Sequence, residues 1–395
     1  MRPFEGIKVI DVTHVLAGPF AAYQLALLGA DVIKVEDPHE CDQSRESGSD
    51  HALSDAKMGL GFATQASNKR AITVNLKTAK GQEIIKRLAK DADVFVENYR
   101  AGAFKKLGLG YDVLSKINPK LIYCSMTAFG QDGPRGHMTA YDHAIQSTSG
   151  MMRTTGTPEV NPIKVGSPVI DYACGTMNAF ALSAALFQRE KTGKGQYIDS
   201  AMLDVALMLM GSHLTNYLYT GSEPSPKGNR MEFASSQGYM ASDSLIMIAA
   251  SNKGQHERLF TALGRPDIAK QSSHKERREN YAAQTKIVED IIKTKTAQEW
   301  EDFLQSRHVP ATRTRKISES VKDPQLATRN MFHTHKNAPG YSKDLTVPVM
   351  AFKFAHGGPE VTSPPPAFGQ HNDEVLGQLG YSKDEIKTMK TEGVI

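Results

Sequence analysis

Short apolar segments alternate with helical patterns along the first third of the sequence. Ile7–Val12 and Asp31–Glu36 are predicted strands, and the helix between them has Pro19 near its start and Gly29 just past its end. The alternation continues with strand, helix, strand and strand patterns at Ile72–Leu76, Gly81–Lys90, Asp93–Glu97 and Leu121–Met126. Strands separated by helices usually pair in parallel and are covered by helices on both faces. The sequence therefore predicts an α/β fold with a mostly parallel sheet.

The length and later composition indicate more than one domain. The chain has 395 residues, which is more than one hydrophobic core usually serves. The Pro-, Ser- and Gly-rich stretch Ser222–Gly228 is followed by a region with one apolar strand (LIMIAAS) and several amphipathic helices. Val361–Gln370 is typical of an extended linker and leads to a predicted helical tail, Asp373–Lys390. We predict a large α/β domain over residues 1–222, a smaller α+β domain over residues 223–330, and a linker with a C-terminal segment over residues 331–395.

The composition excludes several classes of protein. The net charge of +4 is weak and dispersed, which argues against nucleic-acid binding. No apolar run reaches the length of a membrane span, and the N-terminus begins a strand without the layout of a signal peptide. The three cysteines, Cys41, Cys124 and Cys174, lack metal-ligand spacing and are expected to be free thiols. We expect a cytoplasmic protein with no metal site, no nucleic-acid partner and no membrane association.

The turn after the first strand resembles a dinucleotide-binding turn only in its position. Glu36 ends the second strand, as an acidic residue does in such units. The turn itself, His14–Pro19, lacks the glycine triplet that lets backbone approach a pyrophosphate, and Pro19 removes an N–H group. An α/β scaffold without a nicotinamide dinucleotide is therefore the better interpretation.

Asp171 is the sharpest chemical candidate. It stands just before a run of small residues, Ala173–Phe187, that is predicted to be a buried helix. A lone Asp at this place is most often an N-cap. The positive helix N-terminus would also favour the charged carboxylate, and a carboxylate can attack an activated electrophile such as a thioester. The residues alone leave both roles open.

Seven segments in order along nearly the whole chain point to a family. They are GIKVIDVTHVLAGPFAAYQLALLGADVIKVE, NKRAITVNLK, DVFVENYRAGAFKKLGLGYDVL, NPKLIYCSMTAFGQDGP, AYDHAIQSTSGMM, VGSPVIDYACGTMNAFALSAALFQREKTGKGQYIDSAML and FGQHNDEVLGQLGYSKDEI. Together they resemble the family III CoA-transferases, the formyl-CoA transferase and carnitine CoA-transferase group. Asp171 falls on the catalytic aspartate of that family.

The resemblance implies a fold, a reaction and a set of site residues. The fold would have a Rossmann-like large domain plus a smaller α+β domain, in a homodimer of two interlocked rings whose C-terminal segment returns to the large domain. The reaction would move coenzyme A from an acyl-CoA to a carboxylic acid through aspartyl anhydride and aspartyl-CoA thioester intermediates, with coenzyme A as a substrate and no tightly bound cofactor. The residues implied to line the coenzyme and acyl sites are Val15, Leu16, Ala17, Thr73, Val74, Asn75, Asn98, Tyr99, Arg100, Lys106, Thr139, Ala140, Tyr141, Asp142 and Met202. Ordinary core packing is the alternative for Tyr99, Tyr141 and Met202.

Three departures from the family pattern bear on the substrate. Asp37 stands where some relatives have a phosphate-binding Arg, so we expect Arg45 or Lys69 to supply that contact, and Lys106 stands where the family often has Arg. Leu16 replaces a Gln of the oxalate-using relatives. No tetraglycine loop follows Gly228. The oxalate–formate exchange is therefore not expected, and the sequence leaves the donor and the acceptor acid open.

Two other functions stay in competition at this point. An α-methylacyl-CoA racemase needs a His base where this chain has Tyr141, while His143 lies one residue past Asp142. A phenol is a poor base near neutral pH, which disfavours racemisation. A CoA-binding protein without turnover is the second alternative, and the intact Asp171 speaks against it.

Overall fold

The computed structural model describes residues 1–395, which form two compact units. The first unit comprises residues 1–151, 164–222 and 324–395, and the second comprises residues 152–163 and 223–323. The predicted domain boundaries place residues 152–163 in the large domain, whereas the structure groups them with residues 223–323.

A six-stranded parallel sheet is the centre of the first unit. Its strands are β1 (Lys8–Asp11), β2 (Asp31–Glu36), β3 (Lys69–Thr73), β4 (Val94–Glu97), β5 (Ile122–Thr127) and β6 (Tyr197–Ala201). The strand order is β3-β2-β1-β4-β5-β6, and every pairing is parallel. This doubly wound order reverses between β1 and β4, and ligands of such folds bind beyond the carboxyl ends of these strands. The predicted α/β fold with a parallel sheet is confirmed.

Helices cover both faces of this sheet. In chain order they are α1 (Ala17–Leu27), α2 (His51–Asp55), α3 (Leu60–Ala63), α4 (Ala79–Lys90), α5 (Ala103–Lys106), α6 (Tyr111–Ile117), α7 (Asp142–Thr148), α8 (Met151–Thr154, which crosses into the second unit), α9 (Val169–Thr192), α10 (Met202–Leu209) and α11 (Gly211–Thr220), with a 3₁₀ turn at Gln43–Glu46. α1 is apolar on nearly all sides and packs along α9.

Helix α9 is longer than predicted, running from Val169 to Thr192 and ending at Gly193 in the left-handed conformation. By length and composition alone, this helix is apolar enough to cross a membrane. The sequence pattern predicts no apolar run of that length. The core helix of a soluble protein passes the same test, and α9 packs against α1, α7, α10, β5 and β6.

The C-terminal part of the first unit contains α18 (Pro324–Arg329), the hairpin of β10 (Phe332–His335) and β11 (Leu345–Pro348), and two helices, α19 (Asn372–Gln378) and α20 (Lys383–Thr391). The single predicted tail helix is wrong, because Gly380 has φ 87° and Ser382 starts α20 with a capping box to Glu385. Leu376, Ile386 and Val394 are buried in the same hydrophobic cluster as Ile72 and Ile84.

The second unit has its own three-stranded antiparallel sheet in the order β7-β8-β9. Its elements are β7 (Ser236–Met240), β8 (Leu245–Ala249), α12 (Lys253–Ala262), α13 (Pro266–Ala269), α14 (His274–Glu279), α15 (Tyr281–Ile292), α16 (Ala297–Gln305), β9 (Ala311–Arg313) and α17 (Ile317–Ser320). A separate hydrophobic cluster that includes Phe260 and Trp300 fills it.

Candidate active site

Asp171 lies in the first turn of α9, two residues inside the helix. The helix begins at Val169 after Pro168, which makes no side-chain capping bond. Asp171 is therefore not an N-cap, and the expectation that it precedes the helix is wrong. Its side chain is free to react because another residue satisfies the helix start.

Asp142, the first residue of α7, caps α9 from outside. Its Oδ2 accepts hydrogen bonds from the N–H groups of Ile170 (2.7 Å) and Asp171 (3.1 Å). Gln146 donates to Oδ1 of Asp142 at 2.5 Å and accepts from the N–H of Val165 at 2.8 Å. Asp142 and Gln146 are both buried. The pair ties α7 to the start of α9 and fixes the backbone on which Asp171 stands.

All the N–H groups of the first turn of α9 are thereby occupied. Those of Ile170 and Asp171 bind Asp142, that of Val169 binds the Ser167 carbonyl (2.8 Å), and that of Tyr172 binds the Pro168 carbonyl (3.2 Å). This helix start therefore has no donor left for a substrate.

The electrostatics of Asp171 run against the expectation from the helix dipole. Burial, and second the charge of Asp142, raise the pKa of Asp171 from 3.8 to about 7. The loss of hydration and, second, the nearby carboxylate both disfavour the charged form, which is opposite in direction to the expected preference for that form. Burial, followed by the charge of Asp171, also raises the pKa of the Cys174 thiol to about 12, which keeps that thiol neutral.

The first turns of α1 and α9 approach each other closely. A Cβ on Gly175 would lie 2.7 Å from the Ala17 carbonyl oxygen and 2.9 Å from the Phe20 ring, so only glycine fits there. The rings of Phe20 and Tyr172 pack edge to face with centroids 5.0 Å apart. Ala17 and Met202, both predicted site residues, lie in one hydrophobic cluster with Ile170 and Cys174.

The start of α1 has free backbone donors. The N-cap residue Leu16 is half-buried and makes no side-chain capping bond, and the N–H groups of Leu16, Ala17 and Gly18 have no hydrogen-bond partner. The first hydrogen bond of the helix runs from Phe20 N–H to the Leu16 carbonyl at 2.8 Å. Donors at a helix start suit a negatively charged oxygen.

The loops after β1 and β4 are joined by Asn98. Its side-chain oxygen accepts from the N–H of His14 at 2.9 Å, and its NH₂ donates to the His14 carbonyl at 2.8 Å. The Tyr99 ring packs edge to face on His14 with centroids 4.9 Å apart. Asn98 and Tyr99, both implied by the resemblance, thus fix the backbone of the β1 loop.

The predicted segment Thr73–Asn75 is covered by the C-terminal part of the chain. Asn372 accepts from the N–H of Thr73 and donates to its hydroxyl, both at 2.8 Å. Val74 is buried in the core, and the N–H of Asn75 binds the Val394 carbonyl at 2.7 Å. Side chains of this segment are therefore engaged within the first unit.

Two cations predicted to bind phosphate are not available for it. Arg45 is fully buried, with Nε and Nη2 on the two carboxylate oxygens of Glu36 at 2.7 and 2.8 Å. Lys69 is buried and binds Asp11 at 2.9 Å. The expectation that either one replaces the family Arg is wrong, because both charges are already neutralised inside the protein.

Other cations lie exposed after β4. Arg100 and Lys106 are exposed and form no ion pair within this chain, and the neighbouring Lys105 is exposed as well. They follow the strand at which the sheet order reverses.

The remaining predicted residues lie just before or at the start of α7. Thr139 is exposed and Ala140 half-buried, while Tyr141 is 53% exposed with its hydroxyl 3.5 Å from Gln43. His143 is exposed. Sequence reasoning missed the capping role of Asp142 and Gln146, although their spacing of four residues at a helix start is the signal of such a pair. Two surface hollows, one beside Phe303 and one beside Phe187, do not contain Asp171. The candidate active site is therefore identified by the chemistry of Asp171 and not by a cavity.

Comparison with known proteins places the chain among enzymes of one kind. The family model described as "CoA-transferase family III" matches residues 4–372. A succinate–glutarate CoA-transferase from Agrobacterium fabrum is 35% identical over 391 residues, covering 95% of this chain and 96% of the relative. An acetyl-CoA:oxalate CoA-transferase from Acetobacter aceti is 35% identical over 334 residues, covering 83% of this chain and 85% of the relative. The crystal structure of a CAIB/BAIF family protein from Brucella suis matches with a TM-score of 0.82 at 33% identity, covering 96% of this chain and 99% of that one.

Proposed function

Because this chain belongs to family III of the CoA-transferases, we propose that it moves coenzyme A between two carboxylic acids through covalent intermediates on Asp171. That it is a CoA-transferase follows from the family. The proposal concerns the intermediates, the residues that stabilise them, the acids and the assembly.

The reaction is a series of exchanges at carbonyl carbons. The Asp171 carboxylate attacks the donor thioester, the C–S bond breaks, and an acyl–aspartyl anhydride and the CoA thiolate form. The thiolate attacks the aspartyl carbonyl and expels the donor acid, which leaves an aspartyl-CoA thioester. The acceptor carboxylate attacks that thioester and releases the thiolate, which then takes the acceptor acyl group and frees Asp171. No net proton or electron is consumed.

One observation supports this role above the others: Asp171 is a partly buried carboxylate whose pKa is raised to about 7 and whose side chain caps nothing. A carboxylate of raised pKa is a better nucleophile than an ordinary one, yet about half of it is ionised near neutral pH. α1 packs on α9 at Gly175 too closely to admit a Cβ, and Ile170 and Cys174, near Asp171 in the helix, are buried in one hydrophobic cluster with Ala17. An anhydride there would be shielded from water.

The start of α1 supplies the oxyanion donors in this proposal. Each carbonyl addition places a negative charge on an oxygen, and preorganised N–H groups stabilise it. The start of α9 has none to give, since Asp142 and the carbonyls of Ser167 and Pro168 occupy them. The free N–H groups of Leu16, Ala17 and Gly18 are the remaining donors, and their helix packs against the first turns of α9.

The phosphates of coenzyme A require cations outside the core. Arg100 and Lys106 are exposed, without an ion-pair partner in the chain, beyond the end of β4. We assign them the phosphate contacts that Arg45 and Lys69 are too buried to make.

For the acids, we propose dicarboxylates of four or five carbons rather than oxalate. The relatives include one named for succinate and glutarate and one named for oxalate at the same identity, so identity alone does not choose. The half-buried Leu16 favours the longer acids, because its apolar side chain offers no hydrogen bond to a second carboxylate held next to the reacting one. A longer acid would keep that carboxylate away from Leu16.

We further propose that the protein is an obligate, interlocked homodimer. α9 and α11 of the first unit leave large apolar side chains in the open, with Phe180 67%, Phe187 64%, Leu218 81% and Tyr219 91% exposed. Apolar patches of this kind on one unit usually mark a protein interface. A second copy of the chain is the occupant that the family resemblance implies.

Oxygen transfer tests the covalent role directly. Turnover of succinyl-CoA with glutarate that is isotopically labelled in its carboxylate oxygens should leave label in the peptide containing Asp171, since the acceptor oxygen stays on that side chain. Hydroxylamine should convert the same residue to a hydroxamate. Asp171→Ala should bind CoA and show neither turnover nor label. Turnover by Asp171→Ala, or label-free Asp171 after many turnovers, would reject the proposal.

A further inference from the structure

The loop that precedes α1 is held in an unfavourable backbone conformation. Val15 has φ 70°, in the left-handed region. A β-branched residue rarely adopts that conformation, since its side chain crowds the backbone. Such a residue persists only where its surroundings over-determine it, and those places are commonly active sites.

Side chains from other parts of the first unit bind every backbone polar group of residues 14 and 15. Asn98 binds both groups of His14. The N–H of Val15 donates to Oδ1 of Asp42 at 2.9 Å, and Nε2 of Gln65 donates to the Val15 carbonyl at 2.7 Å. Both backbone polar groups of Val15 are therefore hydrogen-bonded to side chains.

Of the two side chains that bind the Val15 backbone, Asp42 is held by further polar contacts and Gln65 is buried. Oδ1 of Asp42 also accepts from the N–H (2.9 Å) and hydroxyl (2.8 Å) of Ser44, and Oδ2 lies 3.0 Å from Lys34. Gln65 is 1% exposed. Although burial alone would raise it, Lys34 and the N–H groups of Ser44 and Val15 hold the pKa of Asp42 well below its usual range. Asp42 thus stays charged where Asp171 titrates.

The conformation of Val15 sets the direction of the donors that follow it. The unpaired N–H groups belong to the next three residues, Leu16, Ala17 and Gly18. A Cβ on Gly18 would lie 2.4 Å from Cβ of Thr13, so the chain folds back tightly on itself across the strained residue. Relaxing Val15 would turn these donors.

We infer that Asp42 and Gln65 are positioning residues that hold Val15 in the left-handed conformation and so aim the N–H groups of Leu16–Gly18 at the reacting carbonyl. Both are buried and act through Val15 without touching a substrate. The inference rests on the proposed oxyanion role of these donors. It adds that the strain at Val15 is kept in place by two residues distant in sequence.

A double-mutant cycle tests it with succinyl-CoA and glutarate as substrates. Gln65→Met fills a similar volume and removes the donor to Val15. Misaligned donors should lower kcat by about 10- to 100-fold while KM for succinyl-CoA changes little, because the interaction forms in the transition state. Glycine adopts φ 70° without strain, so in a Val15→Gly background the same substitution should cost less than about threefold.

Controls separate this inference from folding and from the proposed function. Gln82→Met removes a similar side-chain donor, which binds the Leu76 carbonyl at 3.2 Å, and should leave kcat unchanged. Asp42→Ala removes the side chain that accepts from the Val15 N–H and should show the same dependence on Val15. An equal loss of kcat in both backgrounds, or no loss at all, would overturn the inference while an inactive Asp171→Ala still upheld the proposed function.

Discussion

Replacing Asp142 by Asn should move the pH dependence of the enzyme toward acid. Asn keeps an oxygen for the N–H groups of Ile170 and Asp171 but removes the charge beside Asp171. The pKa of Asp171 rises from 3.8 to about 7, first because of burial and second because of Asp142. The charge therefore accounts for the smaller share, and its loss should lower the pKa by roughly one pH unit, or about 1.4 kcal/mol.

The activity of the wild type should rise with pH through about 7, because only the ionised Asp171 attacks the thioester. For Asp142→Asn the midpoint of that rise should lie near pH 6, so that its relative activity is highest at low pH. The measurement is kcat against pH from 5 to 9, with the burst of CoA release recorded in parallel to isolate the first chemical step.

A matched control is available in the second unit. Asp243 accepts from the N–H of Ala297, the first residue of α16, at 2.8 Å, as Asp142 accepts from N–H groups at the start of α9. Asp243→Asn should alter stability without moving the pH profile. A midpoint that stays in place for Asp142→Asn, or that moves to higher pH, would refute the assignment of Asp142 as the charge that acts on Asp171.

Three further predictions follow from the same features. In thermal melts, Asp171→Asn should be more stable than the wild type at pH 8, and the difference should shrink toward pH 4. Because the pKa of Asp171 is raised in the folded state, the wild type loses stability as the pH rises from 3.8 to about 7. The loss is at most about 4 kcal/mol, and about 1–2 kcal/mol for a partly exposed group. On dilution, analytical ultracentrifugation should find no folded monomer. Leu218→Lys, at an exposed apolar position of α11, should weaken the dimer far more than the surface control Lys105→Ala on α5. With one donor, kcat/KM should be higher for succinate and glutarate than for oxalate, and Leu16→Gln should raise kcat/KM for oxalate at least about tenfold. If oxalate were the best acceptor of the wild-type enzyme, the role assigned to Leu16 would be wrong.

Local patterns predicted the central sheet well, for a physical reason. Strands buried on both faces are short apolar runs, and Pro19 and Gly29 mark the ends of α1 in sequence as they do in the structure. The sequence does not predict β6 as a strand, because Tyr197–Ala201 is a largely exposed edge strand with Asp199 and Ser200 in its middle and lacks an apolar run. The helical pattern of the tail predicts a single helix, because it does not show the break that the backbone conformation of Gly380 and the cap at Ser382 introduce.

The site was predicted less completely because its main contacts join residues far apart in sequence. Asp171 was found from its neighbourhood, but its raised pKa depends on Asp142, which a turn and a separate helix bring to the start of α9. The sequence suggests that Arg45 and Lys69 are free cations, but in the structure they form buried ion pairs with Glu36 and Asp11. Local sequence gives the charge of a residue but not the partner that neutralises it.

Buried charge thus has two different uses around the ends of these strands. At β1 and β2, acids and bases are paired: Asp11 with Lys69, Glu36 with Arg45, and Asp42 with Lys34. Hydrogen-bonded charge pairs in a low dielectric are rigid, and here they fix the backbone before α1. At α7 and α9, by contrast, Asp142 and Asp171 lie together without a base, and that imbalance leaves one carboxyl able to titrate near neutral pH. Burial alone would raise the pKa of Asp42, but Lys34 and backbone N–H groups hold it well below its usual range. The carboxylate that binds the Val15 N–H therefore stays charged in the range where the proposed nucleophile titrates.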